Sequence, residues 1–266
     1  MFERKNDSRV ILIYLAIKYE GDFDKILSAL HMKEDLEISY EKALKVCNSL
    51  KCHVVTALDY DYPKRLIHTY RAPFVLFYYG DITLLDKRAI AVVGSREYSD
   101  YGKMCTEKIV RDLSKEMVIV SGLAKGIDAI AHETAIKNGG RTIAVLGNGI
   151  DICYPAENRE LYEEIKKHHL LISEYPFKVM PDKVHFPMRN RIVVGLSEGV
   201  YVPQINTEMS GTMISISIGM DQQKPIYVAP FPPGSETMNN KLLIEGADFA
   251  DTAEQMMEEM DRLNKR

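Results

Sequence analysis

The chain has 266 residues, of which 46% are hydrophobic, and this length fits one large domain or a medium domain with a small partner. Its 34 lysines and arginines against 38 aspartates and glutamates give a formal charge of -4, which excludes a surface that is positive throughout, so a polyanionic ligand would need cations gathered in one place. The four cysteines lack CxxC spacing and no apolar run approaches the roughly 18 residues of a membrane span, so we expect a reduced, cytoplasmic protein with neither zinc ligation nor disulfides.

The first part of the chain has the pattern of short helices. Apolar residues recur every three or four positions, as between Phe23 and Leu30. We therefore predict a small helical domain of about three helices over residues 1–58, which serves either for protein docking or as a scaffold packed on the main domain. Residues 59–87 follow as a connector, in which the apolar run 74–79 predicts an edge strand.

The main domain is predicted to span residues 88–250. Apolar runs of strand length alternate there with helical patterns, which is typical of an α/β fold with a doubly wound, mostly parallel sheet. An acidic helical tail is predicted over 251–266, on the surface. The predicted strands are 90–93, 118–120, 142–146, 170–173, 200–202 and 226–229.

A glycine, a hydroxyl and a cation follow the first of these strands as Gly94-Ser95-Arg96. The glycine lets the backbone approach a ligand, the serine can donate a hydrogen bond, and the arginine can bind two phosphate oxygens at once. The alternative is a plain turn with a surface arginine. The dinucleotide-binding pattern GxGxxG is absent, because Arg96 stands at its second glycine, and a Walker A sequence is absent too, so the usual NAD and ATP signatures do not apply.

A second turn of the same kind follows the second strand and contains Ser121, Gly122, Lys125 and Gly126. Two glycines bracket backbone N–H groups at the start of a helix, where an anion binds well. Lys125 either reaches a phosphate or is an ordinary surface lysine. Because the carboxyl ends of parallel strands meet at one edge of the sheet, we expect both turns to line the same crevice.

The remaining titratable residues near these turns do not form a recognisable catalytic set. Asp128 has the position of a helix cap, and a packed or hydrogen-bonded role is favoured for His132 because the HExxH zinc pattern is absent. Asp151 and Glu174 could form a carboxylate pair only if the fold brings them together. No nucleophile with a base partner is evident, so we expect no catalytic residue, no metal and no cofactor.

A third candidate segment contains Phe186, Arg189, Asn190 and Arg191, in a loop that leads into a helix. Cations for the backbone and an aromatic ring for base stacking suit single-stranded nucleic acid. The alternative is an exposed basic turn in which one arginine is held in an internal ion pair. The presence of Arg96 and Lys125 at the same edge favours a binding site.

Many motifs in one order give the chain a close resemblance to the DNA-processing protein A (DprA, or Smf) family over roughly residues 55 to 250. They occur at Val93-Gly-Ser-Arg96, Ser121-Gly-Leu-Ala-Lys-Gly-Ile-Asp128, Ala131-His132, Thr142-Ile-Ala-Val-Leu-Gly147, Tyr154-Pro155, Ile172-Ser-Glu-Tyr-Pro176, Phe186-Pro and Arg189-Asn-Arg-Ile192.

The resemblance implies an extended Rossmann domain behind a small SAM-like helical domain. It implies a homodimer that binds single-stranded DNA without sequence preference and helps load the RecA recombinase on it in natural transformation, without catalytic activity. Carried onto this chain, the phosphate pocket would involve Gly94, Ser95, Arg96, Lys125, Arg189 and Arg191.

The chain departs from the family pattern in the second half of the crevice. A Glu-Ala pair is usual after the strand near Val202, but Pro203-Gln204 stands there, although Ser210-Gly211 is kept. Two other hypotheses therefore stay open. The same glycine-rich crevice could bind or hydrolyse free nucleotides, or the protein could be a docking adaptor that works through its helical N-terminus or acidic tail.

Overall fold

A computed structural model describes residues 7–32 and 38–265. Three helices open the described chain: α1 (Ser8–Lys18), α2 (Phe23–His31) and α3 (Tyr40–Asn48). The side chains of Asp7 and Asp22 accept backbone N–H groups at the starts of α1 and α2. Residues 1–6, 33–37 and 266, which fall in the predicted helical domain and tail, lie outside the described residues.

The region after α3 differs from the prediction, because residues 53–56 are a strand rather than part of the helical segment. This strand, β1 (His53–Thr56), pairs antiparallel with β2 (Val75–Gly80). The consecutive β-branched residues favour an extended backbone. Since β2 also pairs with a strand of the main sheet, the run predicted as an edge strand is the second strand, and β1 is the edge.

The main sheet continues with seven further strands, and the six predicted ones form within one residue of the expected bounds. A short β9 had not been predicted. Among the described strands, β3 to β9 pair with one another in parallel, whereas β1–β2 and β2–β6 pair antiparallel. The strands are β3 (Ala89–Val92), β4 (Val118–Ser121), β5 (Thr142–Leu146), β6 (Leu170–Ser173), β7 (Val200–Val202), β8 (Ile226–Val228) and β9 (Asp248–Phe249).

The strand order is β1-β2-β6-β5-β4-β3-β7-β8-β9. Its segment β5-β4-β3-β7-β8-β9 is the order of a dinucleotide-binding Rossmann sheet, and β6, β2 and β1 extend it on one side. The predicted α/β, extended Rossmann-like fold is therefore confirmed. Successive strands are added in one direction from β3 to β5 and in the opposite direction from β7 to β9, so the order reverses between β3 and β7. Such sheets open a crevice at this point.

Helices cover both faces of this sheet. One face carries α4, α5, α6 and α10, and the other carries α7 and α8. None of the described helices is long and apolar enough to cross a membrane. The helices are α4 (Asp100–Leu113), α5 (Ile127–Lys137), α6 (Arg159–His168), α7 (His185–Gly195), α8 (Gly211–Asp221), α9 (Asn239–Ile244) and α10 (Ala253–Asn264), with short 3-10 turns at Lys64–Leu66, Ile82–Asp86 and Ala156–Asn158.

Two helices differ from the expectation in ways that matter below. The segment expected to begin as a loop is helical from His185 onward. The tail helix α10 is not only a surface element, because Met256 and Met260 are 1% exposed and pack with β3, β4 and α4 in one apolar cluster. The i, i+4 spacing of these two methionines places them on one face of the helix.

Candidate nucleic-acid interface

Two adjoining crevices lie at the carboxyl ends of the parallel strands. Arg96, Ala124, Phe186 and Arg189 line both of them, so the two form one continuous surface. The first crevice lies over β4 and β5 and adds Gly122, Lys125, Leu146, Gly147, Asn148, Tyr154 and Pro155. The second crevice opens at the reversal between β3 and β7 and includes Gly94, Ser95, Asn190, Asn206, Ser210 and Gly211.

Two exposed cations stand at the rim of the first crevice. Arg96 is exposed, and within the described parts of the chain no carboxylate lies within ion-pair distance of its guanidinium. The Lys125 side chain is 53% exposed and pairs with Glu157, whose side chain is 63% exposed. An exposed pair of this kind is weak, so an anion can compete for Lys125.

A third cation, Arg189, forms the floor between the two crevices. Its residue is only 6% exposed, and Nη1 donates to the carbonyl oxygens of Gly122 and Val145. Its Nε donates to Oδ1 of Asn190 at 3.0 Å. Among the described residues no hydrogen bond uses Nη2, so this edge of the guanidinium remains for a ligand.

The charge of Arg189 is maintained although it is buried. Burial lowers the pKa of its guanidinium, the carboxylate of Asp128 raises it, and the charge of nearby Arg96 lowers it again. An arginine starts from a pKa so high that it stays protonated despite such shifts. The two arginines therefore place two positive charges close together, which is favourable only when an anion or a carboxylate balances them.

The glycines predicted to admit a ligand mainly allow parts of the protein to approach one another. A Cβ at Gly94 would lie 2.6 Å from the side chain of Ile127, and a Cβ at Gly122 would lie 2.1 Å from Nη1 of Arg189. Gly126 has a φ of +80°, and a Cβ there would lie 2.5 Å from the carbonyl oxygen of Ser95. These positions bring the first two turns together and leave room for the floor arginine.

An aromatic pair borders the first crevice. Phe186 is partly buried and stacks on Tyr154 with ring centroids 5.7 Å apart and an interplanar angle of 23°. Gly147 makes this possible, because a Cβ there would lie 2.7 Å from the Phe186 ring. The Tyr154 side of the pair is exposed, so a planar base can extend the stack.

Residues not chosen from the sequence hold the loop of Arg96 in place. The Ser95 N–H donates to the Gln204 carbonyl at 2.9 Å, and the Asn206 N–H donates to Ser95 Oγ at 3.0 Å. The amide of Gln204 accepts from Ser99 Oγ and donates to Asn206 Oδ1 at 2.8 Å. Asn190, which was among the residues predicted from the sequence, ties α7 to α8 by donating to the Gly211 carbonyl at 2.9 Å. In the sequence, the departure from the family pattern at Pro203-Gln204 was the signal that could have pointed to these contacts.

Three of the predicted site residues line neither crevice, namely Gly126, whose turn is described above, Arg191 and Ser121. Arg191 is 3% exposed, and its Nη2 lies 2.7 Å from both carboxylate oxygens of Glu174. This is the internal ion pair considered as the alternative. Ser121 is fully buried, and its hydroxyl donates to the Val92 carbonyl at 2.6 Å, which binds β4 to β3. All three residues serve the fold, and the prediction that they contact the ligand is corrected.

The titratable residues near the floor have structural partners. Asp128 Oδ2 accepts the N–H groups of Gly122 and Ala124, and burial raises the pKa of its carboxyl. His132 is packed as expected, with Nδ1 2.6 Å from Thr142 Oγ1 and a pKa lowered by burial to about 3. The Thr142 hydroxyl donates to Ile119, so the Nδ1–H of a neutral imidazole is the donor. Across the described ranges, no three His, Cys, Asp or Glu side chains group as a metal site.

These features define a Rossmann-type protein whose sheet edge carries a crevice lined by arginine and lysine side chains rather than a dinucleotide-binding glycine turn. The model of the DNA recombination-mediator protein A family matches residues 53–261. The chain belongs to this family, which confirms the resemblance read from the motifs.

Relatives of known name agree with this assignment. The chain is 41% identical over 206 residues to the DNA processing protein DprA of Streptococcus pneumoniae, covering 77% of this chain and 73% of that one. It is 38% identical over 246 residues to the DprA of Bacillus subtilis, covering 90% and 82%.

Two solved structures have the same fold. The X-ray structure of DprA from Streptococcus pneumoniae matches with a TM-score of 0.80 and 35% identity, over 94% of this chain and 93% of the other. DprA from Helicobacter pylori matches with a TM-score of 0.71 and 33% identity, over 81% and 97%, in a structure that addresses its single-stranded DNA binding mode.

Proposed function

We propose that this protein binds single-stranded DNA without sequence preference and helps load the RecA recombinase on it during DNA uptake and recombination. It acts in the cytoplasm as a homodimer and has no catalytic activity of its own. The support comes from membership of the DprA family and from the single-stranded DNA binding mode described for the Helicobacter pylori relative.

The observation that carries the proposal is the pairing of Arg96 with Arg189 around one opening. Within residues 7–32 and 38–265, no carboxylate pairs with the exposed Arg96 and no protein acceptor bonds Nη2 of Arg189. A phosphate between them would balance both charges and accept hydrogen bonds from two guanidinium groups. The Tyr154–Phe186 stack beside it offers a surface for a base, which suits a strand whose bases are unpaired.

A binding role fits the chemistry better than hydrolysis of free nucleotides. Of the carboxylates near the crevices, Asp128 accepts two backbone N–H groups and Glu174 pairs with Arg191, whereas Glu97 lines the second crevice and is exposed. His132 is buried behind the floor with a pKa of about 3. A general base needs access to the reacting proton, which Glu174 and His132 lack because they line neither crevice.

Fluorescence anisotropy with labelled oligonucleotides across a salt series tests the proposal. Arg96→Ala is expected to weaken binding about tenfold and to reduce the slope of log K against log salt by about 0.7, because one phosphate contact is lost. Arg141→Ala removes the same charge at the other edge of the sheet, where Arg141 pairs with Asp81, and should bind like the wild type. Equal binding by all three proteins would refute the phosphate site.

Three further measurements test the other parts of the proposal, which are the homodimer, RecA loading and the lack of catalytic activity. Light scattering after size exclusion reports whether the chain is a dimer. Stimulation of RecA filament formation on DNA coated with single-strand-binding protein tests loading. If free nucleotides are hydrolysed and competing DNA leaves the rate unchanged, the nucleotide-enzyme hypothesis replaces this one.

A further inference from the structure

A second basic surface lies on the outside of the sheet, between α4 and α5. Four cations line this α4–α5 groove, namely Lys103, Lys108, Arg111 and Lys137, against two carboxylates, Glu107 and Glu133. On a chain with a formal charge of -4, a local excess of cations is unusual enough to require a reason. The function proposed above makes no use of this groove.

The groove begins where the crevices end. Tyr98 lines one end of it, is 44% exposed, and lies two residues after Arg96 in the same loop. Both helices start at the crevice edge and run toward the opposite edge of the sheet. The α4 lining of the groove runs from Lys103 to Arg111, so the groove extends about 12 Å along the helix and adds binding length beyond the crevice.

Two of its cations are available for a ligand. Lys103 lies 3.9 Å from Glu107 and Arg111 lies 3.2 Å from Asp112, whereas in the described part of the chain neither Lys108 nor Lys137 has a carboxylate within ion-pair distance. Cations near helix carboxyl ends also compensate the helix dipole. That role does not account for an exposed tyrosine at the crevice end of the same groove.

We propose that a single strand held at Arg96 continues past Tyr98 into the α4–α5 groove, which binds its phosphate backbone as a second segment. This inference rests on the proposed function. Exposed cations along a groove with an aromatic side chain at its entrance are the features that bind a strand without reading its sequence. The footprint on one protomer is then longer than the crevice alone.

Oligonucleotide length provides the test. A labelled oligomer of about 4 nucleotides fills the crevice only, and one of about 16 reaches the groove. The double variant Lys108→Ala/Lys137→Ala should bind the long oligomer about fivefold to tenfold more weakly, with a salt slope reduced by about 1.4. Its binding of the short oligomer should equal that of the wild type. Tyr98→Ala should weaken binding of the long oligomer about tenfold.

A matched control removes two exposed lysines from α3, which lines neither the crevices nor the groove. Lys42→Ala/Lys45→Ala should bind both oligomers like the wild type. Equal losses for both lengths, or losses in the control as large as those in the groove variant, would mean that net charge acts at a distance and would overturn the inference. Unchanged binding of the long oligomer by the groove variant would overturn it too.

The two hypotheses fail in different ways. If the wild type binds neither oligomer, the proposed function is refuted, and the proposal that the groove binds DNA is refuted with it. If Arg96→Ala weakens binding of both lengths while the groove variant binds normally, the crevice is retained and only the second segment is refuted.

Discussion

The floor and the rim of the crevice hold their cations in opposite ways. Arg189 on the floor is 6% exposed, and carbonyl oxygens of the protein fix its guanidinium. Arg191 lies on the same helix α7 but outside both crevices, is 3% exposed, and is fixed by the Glu174 carboxylate. Arg96 and Lys125 at the rim are exposed and depend on solvent or on a single exposed partner. A cation on the floor therefore belongs to the folded core, whereas a rim cation can be removed without affecting stability.

Breaking the buried ion pair between Arg191 and Glu174 should give the largest effect of these predictions, and this effect should be on stability alone. Arg191→Ala leaves the Glu174 carboxylate buried without its partner, which is expected to lower the free energy of unfolding by about 3–5 kcal/mol. The folded protein should still bind single-stranded DNA within about twofold of the wild type, because Arg191 lines neither crevice. Urea unfolding and anisotropy at low temperature measure the two quantities.

Arg141→Ala is the matched control for this change. It breaks an ion pair with Asp81 in which the side chains are 45% and 38% exposed, so it should cost less than about 1 kcal/mol. A variant Arg191→Ala that keeps full stability but loses DNA binding would place Arg191 in the site after all.

Gly122→Ala should affect both stability and DNA binding, because it disturbs Arg189, which among the described cations is both buried and a lining residue of the two crevices. The new Cβ would lie 2.1 Å from Nη1 of Arg189 and would force the guanidinium away from the Gly122 and Val145 carbonyls. We expect a loss of about 1–3 kcal/mol in stability and at least tenfold weaker DNA binding.

Gly211→Ala serves as the glycine control. It lies at the lip of the second crevice, where a Cβ would meet nothing nearer than 3.7 Å, so stability and binding should change little. If Gly122→Ala is stable and binds normally, Arg189 does not hold the floor in the arrangement described.

Acid should weaken the floor before it affects the rim. Burial lowers the pKa of His132 from 6.5 to about 3, so the unfolded chain binds a proton between these values that the folded chain excludes. The stability from this residue is complete above pH 6.5 and is lost as the pH falls toward 3, at up to about 1.4 kcal/mol per pH unit.

Comparison with His132→Asn isolates this contribution, because the other groups titrate in both proteins. The drop in the free energy of unfolding between pH 7 and pH 5 should be about 2 kcal/mol smaller in the variant, which keeps a donor for Thr142 Oγ1. Urea unfolding at the two pH values measures it. An identical pH dependence of both proteins would show that His132 is not the buried neutral imidazole described.

The sequence predicted most of the sheet, but it did not show which cations are buried in the floor of the crevice and which are exposed at its rim. Apolar runs ending in glycine-containing turns placed the parallel strands, and the carboxyl-end rule then placed Arg96, Lys125 and Arg189 at one edge. Arg189 and Arg191 could not be told apart while their segment was expected to begin as a loop. Once it is helical from His185, residues two apart point to nearly opposite sides, so only one of them reaches the crevice.

Other features lacked a local signal altogether. The strand at His53–Thr56 is short, and its pairing with residues 75–78 depends on contacts distant in sequence. The bonds from Gln204 and Asn206 to the Arg96 loop join segments more than 100 positions apart, and only the change in the family pattern marked them. The face of the tail helix that packs on α4 was readable, however, from Met256 and Met260.

The smallest expected effect concerns the rim cation that has a partner. Glu157→Gln frees Lys125 without removing it, so single-stranded DNA should bind about twofold more tightly, with a salt slope up to about 0.7 steeper. Stability should not change, since both side chains are more than half exposed. Lys125→Ala should have the opposite effect on binding, and the double variant should match Lys125→Ala if Glu157 acts through Lys125. If the double variant binds more tightly than Lys125→Ala, Glu157 repels the strand directly rather than through Lys125.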